Sequence, residues 1–175
     1  MLFIRVALGF LVIASTAAHA EVTHKAEHGF NLVITGTTDA SPKQAYQQFL
    51  TVQDWWIASH TWFGKAENLS IDARAGGCFC EIEGQKQVQH MVVAMVNPGQ
   101  EVQLLGGLGP LQMMGLHGAM SWKFEPLANG GTQITQSYNV SGFYADGLQS
   151  LAGVVDSVQT AQLNALIARL KSANP

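Results

Sequence analysis

The sequence predicts an α+β domain: a curved antiparallel sheet of about seven strands, two short helices after the first strand, and one long helix at the C-terminal end. Three observations predict it. Apolar residues alternate with period two through most of residues 69–140, and the interruptions are glycine-rich or Asn-Pro-Gly turns. Residues 146–173 change to a helical stripe about six turns long. Ahead of the meander, one strand-like segment runs into a helix-start signal.

In chain order, the first twenty residues read as an address. Arg5 precedes an apolar run from Val6 to Ile13, and Ala18-His19-Ala20 offers a small-residue cleavage site, so residues 1–20 are expected to be a signal peptide and 21–175 a single domain. The expected location is periplasmic or secreted. The apolar run is too short to span a bilayer, and no later segment reaches eighteen uninterrupted apolar residues, so no stable membrane insertion is expected. The remaining 155 residues carry 8 basic against 12 acidic side chains, which argues against nucleic acid as a partner.

Residues 30–38, FNLVITGTT, alternate as a strand. Ser41 then caps a short helix with Pro42 at its first position, and a second short helical piece near 53–58 carries Trp55 and Trp56. Strands follow at 69–73, 78–83, 87–97, 101–106, 118–125 and 132–140. The last helix places Leu148, Leu151, Ala152, Val155, Val158, Leu163, Leu166, Ile167 and Leu170 on one stripe, suited to covering the open face of a sheet.

This order, with "VQDWWIASHTWFGKAENLSI", "AGGCFCE" and the late "YNVSGF…GL…VDSVQTAQLNALIARL", resembles the SRPBCC (START-like, Bet v 1-like) helix-grip superfamily over roughly residues 29–171. Within it the chain is similar to the bacterial branch of Hsp90 ATPase activator homologues and polyketide cyclase-like proteins. The resemblance implies a deep apolar cavity between sheet and C-terminal helix that takes a small hydrophobic molecule such as a lipid, a polyketide or an aromatic, in some members with catalysis. Activation of a cytosolic chaperone does not fit an exported chain. No cofactor is implied.

Aromatic residues support a cavity or a densely filled core. Met120, Trp122 and Phe124 share a strand face, Tyr138 shares one with Ile134 and Val140, and Trp55, Trp56, Trp62 and Phe63 cluster where a cavity mouth would lie. "LLGGLGPLQMMGLHG" holds Met113, Met114 and His117 in a run too apolar for a plain surface loop. It suits an adaptable lid, or a buried hairpin at a strand edge. His60, in the loop after the tryptophans, is a candidate rim residue. His90 is placed with Val88, Val92, Ala94 and Val96 on one strand face, where it is a polar anchor for a ligand or a buried structural histidine.

Cys78 and Cys80 sit one residue apart, with no other cysteine in the chain. On a regular strand their two-residue step spans about 6.8 Å, which argues against a disulfide between them. A start in the turn after Gly77 would loosen that limit, and an exported location favours oxidation. They could also line an apolar wall, or hold a metal together with a histidine. Phe79, Glu81 and Glu83 share the opposite face. If that face looks inward, Glu81 enters the apolar interior as a candidate catalytic acid or base, and His90 is the other candidate for that role. The sequence therefore leaves a cyclase- or hydrolase-type enzyme, and a thiol or metal site at Cys78/Cys80, as alternatives to a binding protein.

Overall fold

The computed structural model describes residues 19–173. The expected signal peptide lies outside them, apart from the backbone of its last two residues. Eight antiparallel strands form one open sheet: β1 (His19–Ala26), β2 (Gly29–Thr38), β3 (Leu69–Ile71), β4 (Cys78–Glu83), β5 (Lys86–Asn97), β6 (Glu101–Leu105), β7 (His117–Pro126) and β8 (Thr132–Ser141). Their spatial order is β1-β2-β8-β7-β6-β5-β4-β3, so β3 to β8 form a meander and the chain closes on itself by pairing β2 with β8. Helices α1 (Pro42–Leu50), α2 (Pro110–Met113) and α3 (Ala152–Ala173) complete the fold, with 3₁₀ turns at Val52–Asp54, Ala58–His60, Ala66–Asn68 and Leu148–Ser150. The α+β class, the early short helices and the long C-terminal helix stand as expected, except that α3 begins at Ala152 rather than near 146, and the piece expected near 53–58 is two 3₁₀ turns on either side of Trp55 and Trp56.

One strand more is present than the sequence suggested. β1 contains Glu21, Val22, Thr23, His24, Lys25 and Ala26, with Val22 its only large apolar side chain, so period-two analysis passes over it. It is an edge strand, recruited by backbone pairing with β2.

Alternation sorts the sheet into two faces. Phe30, Leu32 and Ile34 of β2, Ile134, Tyr138 and Val140 of β8, Met120, Trp122 and Phe124 of β7, and Val102 and Leu104 of β6 are all buried on the inner face. Tyr46 and Phe49 of α1 pack edge-on and tilted against Phe124 and Trp122. α1 begins with Pro42, and the Gln44 side chain returns to accept the Ser41 backbone N–H at 2.9 Å. α3 buries Leu163, Leu166, Ile167 and Leu170 against the β2 end of the sheet. Among the described residues, no helix is long and apolar enough to cross a membrane.

β5 corrects the face assigned to its residues. Phe79 pairs with Met91 but Cys80 with Gln89, so β5 carries His90 as an extra residue in a bulge. The bulge reverses the alternation. His90, Met91 and Val93 are buried, whereas Val92 and Ala94 turn toward the outer face instead of sharing a face with His90.

Candidate functional site

β4 decides which side of its strand enters the protein. Phe79 and Glu81 point inward, Glu81 with no exposure at all, and the two cysteines lie on the outer face. The reason is packing: Phe79 fits between Trp56, at 5.5 Å between ring centroids, and His90, at 5.0 Å. Its burial carries Glu81, two residues on, to the same side.

A carboxylate in that position needs donors, and three are present. The backbone N–H groups of Trp62 and Phe63 donate to Glu81 at 2.8 and 2.7 Å, and His90 Nε2 lies 3.2 Å from Oε2. Two consecutive amides from a loop end on one side chain, so Glu81 ties the segment after the tryptophans to the sheet. Burial holds the His90 pKa below the ordinary histidine value, against the opposing pull of Glu81, so the ring is neutral at pH 7. With its proton on Nε2 toward Glu81, Nδ1 is left as a bare acceptor. That nitrogen is buried without a hydrogen-bond partner.

A second polar layer links α3 to the sheet and loop. Gln162 accepts the Ile57 backbone N–H at 3.0 Å and lies 2.7 Å from His60 Nδ1. Gln136 of β8 donates to Gln159 of α3 and also faces the Met120 sulfur at 3.6 Å, and Trp122 Nε1 donates to the same sulfur at 3.2 Å. Gln136 Oε1 is buried without a partner. Sequence reasoning named none of these glutamines. The signal was present, since Gln159 falls on the helical stripe midway between Val155 and Leu163.

Among the expected ligand-binding residues, Trp55, Trp56, Met120, Trp122 and Tyr138 come together in the interior. Trp55 donates from its ring nitrogen to the Phe49 carbonyl, and Trp56 to the His60 carbonyl, which braces the 52–60 segment. Trp62 is 44 % exposed, while Phe63 is half-buried with Lys86 above its ring. Met113 is 80 % exposed and Met114 38 %, so the methionines of the proposed lid point to solvent. His117 is exposed on the outer face of β7, away from the interior group.

The Gly-Leu-Met segment is instead a plug. Leu108, Leu111 and Leu116 are buried, and Tyr138 fixes the segment by accepting the Leu108 N–H at 2.9 Å and donating to the Gly106 carbonyl at 3.1 Å. Burial pushes the Tyr138 pKa up to about 12, so this hydroxyl keeps its proton.

The expected deep cavity is also corrected. Phe49, Val52, Trp55, Trp56, Ile71, Phe79, Leu104, Met120 and Trp122 enclose a void of about 10 Å³, near the size of one water molecule. The aromatic rings occupy the space that a ligand would take. A ligand-sized concavity of about 520 Å³ lies on the other side of the sheet, an open groove whose floor includes Gly29, Gly118 and Ala119 and whose polar lining includes His24, Asn31 and Asn139.

Cys78 and Cys80 form a disulfide, contrary to the expectation from regular strand spacing. Their Cα atoms are 5.3 Å apart instead of about 6.8 Å, because β4 contracts where it faces the β5 bulge. Their sulfurs are thus spoken for, and no cluster of three or more metal-ligating side chains occurs among the described residues.

No protein-family model and no curated protein matches this chain. Solved structures do. An uncharacterised protein from Rhizobium leguminosarum superposes with a TM-score of 0.58 at 17 % identity, covering 90 % of this chain and 99 % of its own. A Rhodobacter sphaeroides protein gives 0.59 at 12 % identity over 89 % and 100 %. DynU16, from the dynemicin biosynthetic locus, gives 0.58 at 14 % identity, covering 83 % of this chain and 48 % of its own. At these identities the likeness concerns the fold.

Proposed function

We propose that this chain is an exported SRPBCC-type binding protein for a small hydrophobic molecule carrying one polar group. It receives the ligand between sheet and helix, by rearrangement of the 52–63 segment over the aromatic nest. The observation that carries this reading is the poor pairing of buried polar atoms among those rings. Trp122 Nε1 has only a thioether sulfur as acceptor, Gln136 Oε1 has no partner, and neither has His90 Nδ1. Buried polar groups are normally satisfied, so groups left in this condition beside aromatic walls suit a ligand that supplies the missing donor or acceptor. The segment that must move is held through side-chain acceptors, Glu81 and Gln162, which can release it without breaking a helix or a strand. Likeness to a protein of the dynemicin biosynthetic locus is in keeping with a small-molecule ligand, but concerns the fold.

A second reading rests on Glu81 and His90. A neutral imidazole oriented by a buried carboxylate, with a free Nδ1, is the arrangement of a general base. It would serve a cyclase- or hydrolase-type reaction on a substrate bound in the same nest.

Native mass spectrometry of the protein purified from its exported fraction, followed by titration with a naphthalene-sulfonate dye and with fatty acids, tests the binding reading. A co-purifying small molecule, or saturable binding that shifts tryptophan emission, is the expected result. A clean apo mass with no saturable binding of any probe would refute it. Loss of turnover but retention of binding in His90→Asn would favour the second reading.

A further inference from the structure

The Cys78–Cys80 disulfide has no evident structural task. It closes a loop of three residues, the length at which a cross-link removes least entropy from the unfolded chain. The core does not use it, because both cysteines are half-buried on the outer face while Phe79 between them, on the inner face, is locked between Trp56 and His90. Strand β4 is already held on both sides by pairing with β3 and β5.

Its surroundings connect it to the groove on the outer face. The register places Cys78, Val92, Leu105, Ala119, Asn139, Asn31 and His24 in one outward-facing row across the sheet. Leu105, Ala119, Asn139, Asn31 and His24 line the 520 Å³ groove, so the groove opens toward the disulfide across Val92 alone. Ile82, 47 % exposed, follows Cys80 on β4, and Leu105, 52 % exposed, lies across the sheet beyond Val92. A thiol-bearing molecule lying in the groove or on these apolar side chains can approach the sulfur pair from solvent.

We propose that Cys78–Cys80 is a reversible thiol–disulfide exchange site whose substrate is a thiol. A substrate thiolate attacks one of the two sulfurs, the Cys78–Cys80 bond breaks, and a mixed disulfide forms while the departing sulfur takes up a proton. A second substrate thiol, as thiolate, attacks the mixed disulfide, and the released cysteine sulfur is protonated. Two substrate thiols are thereby oxidised to a disulfide and the protein is reduced to the dithiol. The two thiols come from two small molecules or from one dithiol polypeptide. This proposal is independent of the binding reading, since it concerns the opposite face of the sheet.

The test uses the folded wild-type protein, isolated without reductant and equilibrated with mixtures of reduced and oxidised glutathione. The samples are acid-quenched, alkylated and weighed, and a parallel arm uses a reduced peptide containing two cysteines. The expected result is graded conversion from no to two alkylated cysteines, reversed by oxidised glutathione, with Cys80→Ser accumulating one glutathione per chain. Reduction in either arm supports the site, and the faster arm per thiol identifies the source. A bond that resists a hundred-fold excess of dithiothreitol until urea unfolds the chain would overturn the proposal. So would two free thiols in the isolated protein that oxidised glutathione fails to join.

Discussion

Glu81 shows how a single side chain organises this molecule. Its carboxylate, itself fully buried, meets two loop amides and an imidazole, so its removal takes the acceptor from three donors at once. Unsatisfied buried donors cost about 1–3 kcal/mol each, partly relieved by local rearrangement. Glu81→Ala is therefore expected to destabilise the protein by about 3 kcal/mol in urea unfolding and to raise amide exchange at Trp62 and Phe63 specifically. His90 supplies a pH dependence. Its pKa is lowered in the folded state, so as pH falls below about 6.5 the unfolded chain binds a proton that the folded chain refuses. Stability from this residue is complete above that pH and is lost progressively toward the lowered value. Unfolding measured at pH 7.5 and 5.5 should show a decline that His90→Asn flattens, whatever that variant costs overall.

Elements are shaped here by small departures from regularity. The β5 bulge at His90 turns that residue and Met91 inward together, and β4 contracts beside it so that two cysteines on one strand can bond. Gly118 is a second such point. A Cβ there would strike the Tyr138 ring and lie 2.9 Å from the Gly106 carbonyl oxygen, so glycine is what allows the tyrosine to reach across β7 and hold the 106–116 plug. Gly118→Ala should cost about 1–3 kcal/mol, as overpacking does. It should also expose the Leu108 amide to exchange, while the same change at Gly153, where nothing lies near the added carbon, should be tolerated. Strong elements were legible in sequence because the signal was strong: the β6 to β8 meander stands where periodicity placed it, and the helical stripe holds from Ala152 onward, with Leu148 in a separate 3₁₀ turn. β1 was not, because an edge strand with one large apolar side chain has little to alternate. Nor were the bulges, since an extra residue leaves no mark on composition.

At the scale of the whole molecule, the proposed binding requires a filled interior to admit a ligand. The rings of Phe49, Trp55, Trp56, Phe79 and Trp122 must part, and their mutual contacts oppose this. Binding then shows as linkage: a ligand at a hundred times its dissociation constant adds about 2.7 kcal/mol to stability. For a domain of this size that raises the melting temperature by about 5–10 °C, which scanning calorimetry or dye-free fluorimetry would register. A midpoint that does not move for a probe with measured saturable binding would place that probe on a surface present in folded and unfolded chains alike, outside the nest.

The sequence by itself determined the class of fold, the order of most strands, the covering helix and the aromatic set, because periodicity and turn chemistry act over a few neighbouring residues. It also reduced the role of Glu81 to one alternative, inward or outward, that alternation alone could not resolve. Tertiary structure resolved it. Phe79 found its place between Trp56 and His90, and the strand had only one way to follow. Whether the aromatics line a cavity or fill it, and whether two cysteines one residue apart can bond, depended on volumes and curvature set by strands distant in sequence. Such quantities belong to the assembled sheet, where a bulge in one strand changes the spacing in its neighbour.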